Sequence, residues 1–412
     1  MGYPTLTDLP VEVLHLILAH FDYDQEWQWK HERSLRSCSF TCRLVRAVAL
    51  EHLDFRHLFL PGIETFDPLL DFLRTYPRVA KTVVSLKLAG STKYDPGPRS
   101  RYTPMTTIDV ALLASIVELL PKLDSLILQS FHYTKPTAAN VQPAVGPFPL
   151  STFSLRGHCH PQSSLTGVLS VLSLFTLEQV KDPALDEFDL DESSEPRFLS
   201  RLVDVQRLWL RRSSSPAYTA SALQAFSVSL KSDSLQELSV QVDSKETISA
   251  LGKLLTRAGG NITTLTIRNN PPEWAMPKDR DHWVNPLEGN SQLLDISACK
   301  KLESITLPMY FCKTRTRPLS EPVVGILQQA STTLRKVIII ADNLPKPTTI
   351  GNRTIYKVHD LDKVLSPTRF PHLQECELNI GIRCTPLAWS KCKDSAQRAL
   401  KSLHGRGLLT MK

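Results

Sequence analysis

Few residues in this chain combine the types and spacings that bond chemistry or metal binding demands. His158-Cys159-His160 gathers three metal-capable donors, and Cys38 and Cys42 stand one helical turn apart. Structural zinc takes four ligands in paired short spacings, and neither group has a matching second pair. Packing thiols are the expected role instead. His31-Glu32 opens like a zinc-hydrolase HExxH but runs on as Arg33-Ser34-Leu35. Asp189-x-Asp191-x-Ser193 begins like a calcium loop, yet Ser194 replaces the turn glycine and Ser200 the bidentate glutamate. No GxxxxGK[ST], no GxSxG and no strand-following GxGxxG is present. We therefore expect no enzyme, no cofactor and no metal.

One constellation suits binding. In Arg207-Leu208-Trp209-Leu210-Arg211 the leucines alternate inward, so Arg207, Trp209 and Arg211 share the opposite strand face. Arg268 is expected near Arg211 on a following unit. Arginine beside an accessible tryptophan is hot-spot chemistry and suits an acidic or phosphorylated segment of a client protein. Two other roles stay open. Trp209 covers the sheet while the arginines are merely solvated, or the acidic stretch Asp182–Glu195, with seven carboxylates, lies over the patch.

The elements that would position these residues follow from composition and periodicity. The chain has 412 residues, 42% apolar and 22% charged, with a formal net charge of +7. That excludes wholesale disorder and allows two or three domains or one long array. The longest apolar runs fall far short of a membrane span, and no secretory signal opens the chain, so an intracellular location, cytoplasmic or nuclear, is expected. Eight cysteines scattered through apolar segments fit free thiols in a reducing compartment. Residues 391–412 carry six basic groups but no base-stacking aromatics, which argues against nucleic acid as a partner.

The first sixty residues differ from the rest. Leu9-Pro10-Val11-Glu12 reads as a helix start, followed by an apolar stripe of Val13, Leu14, Ile17, Leu18 and Phe21. A second helix is predicted from about Leu35 to Ala49, with Leu35, Cys38, Cys42, Val45 and Ala49 on one face. Helices this short cannot bury their own stripes and need a partner.

Beyond residue 55 the pattern apolar-x-x-apolar-x-apolar recurs. Copies include Val83/Leu86/Leu88, Leu123/Leu126/Leu128, Leu172/Phe175/Leu177, Val205/Leu208/Leu210 and Leu373/Cys376/Leu378, with a partial copy at Leu409/Met411. At this apolar content a single triplet arises by chance roughly every 14 residues. Context raises the signal, because several copies follow a helix-period stretch and a breaker, such as Ile248 to Leu255 and then Gly259-Gly260. Strand centres fall 22 to 40 residues apart. Stacked helix–strand units explain that alternation, and an open α/β sheet domain is the competing architecture.

The N-terminal residues resemble the F-box. Leu9-Pro10-x-Glu12-Val13-Leu14-x-x-Ile17-Leu18 is similar to the opening half of that family's pattern, and Cys38-Ser39-x-x-Cys42-Arg43-x-x-Arg46-x-x-Ala49 to its closing half. Val45 stands where the family often has Trp, and Asp22–Glu32 runs a few residues long. The remainder resembles the irregular leucine-rich repeats that often follow an F-box. The fold class implied is α/β. All-α F-box helices over residues 1–54 precede a solenoid over 55–412, with parallel strands on its concave side and helices outside. The implied partners are a Skp-type adaptor, a cullin ligase reached through it, and a protein client, with no membrane partner. The implied function is substrate recognition in a Skp–cullin–F-box (SCF) ubiquitin ligase. A repeat scaffold working outside ubiquitination is the alternative, and an enzyme on the C-terminal domain a remote third. By the resemblance, Leu9, Pro10, Val13, Leu14, Ile17 and Leu18 would dock on the adaptor, followed by Leu35, Cys38, Cys42 and Val45. The regular repeat also carries an asparagine just past its strand, a position only Asn270 fills here.

Overall fold

The computed structural model describes residues 10–19, 37–38, 42–52, 55–95, 101–134, 147–156, 164–181, 202–210, 216–269, 285–310, 320–342, 350–353, 356–380 and 386–412. Among the described residues, helices α1 (Val11–Ala19) and α2 (Arg43–His52) come first. A sheet of twelve strands follows, in addition to two small two-stranded sheets (Thr92–Asp95 with Arg101–Pro104, and Thr107–Ile108 with His132–Tyr133): β1 (His57–Ile63), β2 (Ser85–Gly90), β3 (Ser125–Gln129), β4 (Phe148–Arg156), β5 (Phe175–Lys181), β6 (Asp204–Leu210), β7 (Glu237–Gln241), β8 (Thr264–Arg268), β9 (Ser304–Tyr310), β10 (Lys336–Asp342), β11 (Glu375–Ile380) and β12 (Leu409–Met411).

Every neighbouring pair of the twelve is parallel, and the spatial order is the chain order. A doubly wound sheet reverses its strand order at a switch point, and this one does not. The open α/β alternative is thereby set aside in favour of a leucine-rich-repeat-like solenoid. The register threads one residue from each strand into a single ladder: Leu58, Leu86, Leu126, Phe153, Val180, Leu208, Leu238, Leu265, Ile305, Val337, Cys376 and Leu409. From Leu86 to Cys376 each is at most 2% exposed, so this row is the core of the array. Successive strands also share an entry device. Arg56 O accepts from Val84 N and Ser85 N, Val84 O from Asp124 N and Ser125 N, and Asp124 O from Ser151 N and Thr152 N. The same relay runs from Gln236 to Arg335 and sets where each strand begins.

One predicted triplet is out of register. Leu172/Phe175/Leu177 places Phe175 on the ladder, whereas Val180 occupies it and Phe175 pairs with Phe148 at the strand's start. Leu172 ends a helix instead. With that correction, adjacent ladder residues lie 27 to 40 positions apart.

Helices fill the face on which the ladder is buried: α3 (Asp67–Thr75), α4 (Val110–Glu118), α5 (Leu165–Leu172), α6 (Pro216–Ser229), α7 (Lys245–Ala258), α8 (Glu321–Gln329), α9 (His359–Val364) and α10 (Pro386–Ala399). Some of their starts are capped by a side-chain oxygen. Asp109 accepts from Leu112 N at 2.8 Å, and Ser244 accepts from Thr247 N at 3.1 Å. Between β8 and β9 the described residues include two 3-10 turns, Ser291–Leu294 and Ile296–Ala298.

The first edge of the sheet is blunted. Arg56 faces β2, so alternate residues His57, Phe59 and Pro61 face the outer edge of β1, where Pro61 has no N–H to offer. Gly62, with φ +64°, breaks the register next to it. At the other end, Asp362 of α9 accepts from Ser402 N at 2.8 Å and Leu403 N at 2.9 Å. It caps the short helix Lys401–Gly405, whose own Leu400 cannot. Asp362→Ala should cost about 1–2 kcal/mol. Hydrogen exchange should speed up across residues 401–412 while the middle of the array is unaffected.

Candidate functional site

The first candidate surface is the helical pair. Leu14 and Leu18 of α1 meet Val45, Val48 and Ala49 of α2, with Cys38 and Cys42 packed against them. Cys42 precedes α2, and its sulfur accepts from Val45 N at 3.4 Å, in the manner of an N-cap. The predicted helix from about Leu35 to Ala49 is therefore interrupted at Cys42: α2 starts at Arg43, and Ser37 and Cys38 are helical among the residues described before it. The predicted stripe on α1 is divided between two faces. Leu14 and Leu18 point inward, while Val13 and Ile17 stay 36% and 41% exposed. Pro10 is exposed next to them, as are Val11, Leu16 (72%) and Leu44. Leu16 and Leu44 were missing from the predicted docking residues because neither belongs to the inward period. Leu9, Leu35, His31-Glu32, His158–His160 and Asp182–Glu195 lie outside the described residues.

The second candidate surface is the sheet face opposite the helices. The register brings two rows onto it. Gln179, Arg207, Glu237, Thr264, Ser304, Lys336 and Glu375 form one. Trp209, Ser239, Thr266, Thr306, Ile338 and Glu377 form the other. Trp209 is 38% exposed. Arg207 is held 3.7 Å from Glu178, and both side chains are well exposed, so the pair contributes little stability. Arg268 lies on the same face, two strands from Trp209 and one step further along, because it pairs with Gln241. Arg211 lies outside the described residues. Just past β8 the described residues end at Asn269, and Asn270 lies outside them. Asn269 is 1% exposed and donates through Nδ2 to Asn285 Oδ1, which also accepts from Leu287 N at 3.0 Å.

At the far end of this face the charges neutralise one another. Lys336 sits 2.8 Å from Glu375 and 3.9 Å from Glu377, and Lys412 sits 2.9 Å from Glu377. The hydrogen bond to Glu377 pushes the Lys412 ammonium up from its usual value. Elsewhere, an apolar groove of about 580 Å3 lies along the first unit, lined by Leu58, Leu60, Ile63, Pro68, Leu69 and Phe72. Phe55 packs on Phe72 at 6.2 Å between ring centroids.

The cysteines divide by environment. Burial, with a smaller push from Asp295, raises the Cys299 thiol to about 12, and burial with Asp362 and Glu375 does the same for Cys376. At pH 8 roughly one such thiol in 10,000 is ionised. Under native conditions iodoacetamide should leave Cys299 and Cys376 unlabelled, and mass spectrometry should find them modified only after denaturation. Among the described residues no group of three or more His, Cys, Asp or Glu side chains could hold a metal ion. None of the described helices is long and apolar enough to cross a membrane.

No protein-family model matches the chain, and no curated protein matches it. Among solved structures the chain is similar to the crystal structure of the leucine-rich repeat-containing protein LegL7 from Legionella pneumophila. The two share 14% sequence identity and a TM-score of 0.35, over 83% of this chain and 98% of that one.

Proposed function

We propose that this chain is the substrate-recognition subunit of a Skp–cullin–F-box ubiquitin ligase. Residues 1–54 form the adaptor-binding module, and residues 55–412 form a client-binding solenoid. The observation that carries the reading is the division of labour on α1. Leu14 and Leu18 hold the helical pair together, while Pro10, Val13, Leu16 and Ile17, with Leu44 of α2, keep an apolar face toward solvent. Those residues fall within the two ordered halves of the F-box resemblance. Burying each such side chain contributes about 1.5–3 kcal/mol, so several together offset the cost of association. Loss of rigid-body freedom alone demands that several be buried at once.

In this reading the chain performs no bond chemistry. It positions a client for the ligase's transferase, and the sheet face with Arg207, Trp209 and Arg268 receives that client. Co-purification with a Skp adaptor, with and without residues 6–49, tests the proposal. Capture by the intact chain and loss on deletion support it. An intact chain that does not bind the adaptor refutes it and leaves a repeat scaffold working outside ubiquitination.

A further inference from the structure

The open sheet face holds cations of two kinds, and the difference points to what it binds. Lys87 lies with its ammonium 4.4 Å over the Phe59 ring. Arg207 has Glu178 beside it, and Lys336 and Lys412 are tied to Glu375 and Glu377. Arg268 is exposed and has no carboxylate partner among the described residues. Its neighbours on this face are Gln241 across the strand pair, and Thr266 two residues back. Thr266 in turn pairs with Ser239, and Ser239 with Trp209. Five side chains therefore share one patch about 10 Å wide and about 7 Å along the strands, taking the ordinary strand spacing and rise. A guanidinium, a carboxamide and two hydroxyls can all donate hydrogen bonds, none of these four is acidic, and an exposed indole borders them.

We propose that this patch is an anion seat, taking a carboxylate or phosphate side chain of an extended client segment. Arg268 is the charged contact, Gln241, Ser239 and Thr266 are the neutral donors, and Trp209 packs against the residue adjoining the anion. A guanidinium not already committed to a carboxylate favours an anionic group over any neutral one, and the planar fork suits both oxyanions. Arg207 contributes less, because Glu178 already stands beside it. This rests on the reading of the open face as the client surface, and it names the chemistry that surface selects.

The full-length chain, immobilised, would be offered three degenerate peptide pools identical but for one fixed central residue: phosphoserine, glutamate or serine. One or both anionic pools should be retained at least tenfold over the serine pool, with retention falling as salt rises. Arg268→Ala should abolish the preference and Thr266→Val should weaken it severalfold, while Lys87→Ala, on the same face but held over the Phe59 ring, changes it less than threefold. Retention of the phosphoserine pool alone assigns phosphate as the anion, and retention of both admits carboxylate. Equal retention of all pools, retention of none, or a preference that survives Arg268→Ala overturns the proposal. Adaptor co-purification of the same variants is read separately, so loss of the anion seat and loss of the ligase role are distinguishable.

Discussion

Gly252→Ala should unfold the middle of the solenoid. Gly252 lies in α7, where an added Cβ would sit 1.9 Å from the backbone oxygen of Leu293, more than an ångström inside ordinary contact. The obstacle is backbone, so no side-chain rotation relieves it. The 3-10 turn Ser291–Leu294 is pinched from its other side as well. Gly325 of α8 faces Ser291, where a Cβ would stand 2.8 Å from the hydroxyl oxygen, and Gln329 Nε2 donates to Ser291 O at 3.2 Å. We expect a cost of about 3–5 kcal/mol for Gly252→Ala, at the upper end of overpacking effects. Gly325→Ala should cost about 1 kcal/mol, because the Ser291 hydroxyl can swing aside. Gly260→Ala meets nothing within 4 Å and should change stability by less than about 0.5 kcal/mol. Stability in a stacked array is a sum of local and nearest-neighbour terms, so hydrogen exchange resolved by segment is the right measurement. The Gly252→Ala signal should centre on α7 and the turns before β9, and equal protection in all three variants would reject this packing.

The glycine pair also shows why part of the fold was legible in the sequence and part was not. A strand that buries alternate residues writes its ladder into the chain, so Leu86, Leu126, Leu208, Leu265 and Val337 were identifiable from a short apolar pattern. The pattern failed at β5 because Leu172, Leu174, Phe175, Leu177 and Val180 offer two registers with equal apolar content. Only pairing with Phe148 and Leu208 selects between them. The segment Ser291–Ala298 has no helical period, since it packs against two glycines distant in sequence, with the Leu293 carbonyl at Gly252 and the Ser291 hydroxyl at Gly325. Asn269 and Asn285 are hidden for the same reason. Their partnership spans sixteen residues, and no local rule connects them.

The candidate sites follow the same division. That Arg207, Trp209 and Arg268 share a face follows from alternation along a strand and from strand order, both readable from the sequence. Which cations of this face have a carboxylate beside them among the described residues depends on Glu178, Glu375 and Glu377, contributed by different strands, and no single segment displays it. On α1, periodicity identified the apolar residues but not which of them face α2. A short helix apolar on more than one side has no unique inward face until its partner is in place.

Ile17→Asp should reduce adaptor capture at least 100-fold and leave the helical pair folded, while Leu14→Asp should lose capture by unfolding it. Ile17 is 41% exposed and Leu14 fully buried, three residues apart on the same helix. A carboxylate at position 17 keeps its hydration in the free chain. It loses that hydration only if an apolar partner closes over it, so the penalty falls on the complex. At position 14 the charge enters the cluster of buried apolar side chains that includes Leu18, Val45, Val48 and Ala49. A short helical pair cannot absorb a cost of about 4 kcal/mol. Leu16→Asp, at 72% exposure, should resemble Ile17→Asp if the adaptor covers the whole outward face, and should be silent if it covers only the edge toward Val13. Limited proteolysis of the first 60 residues separates the two failure modes, with Ile17→Asp resisting like the parent and Leu14→Asp being cut rapidly. If Ile17→Asp and Leu16→Asp both bind like the parent, the exposed apolar face of α1 is not the docking surface. The ligase reading would then have to rest on a different part of the chain.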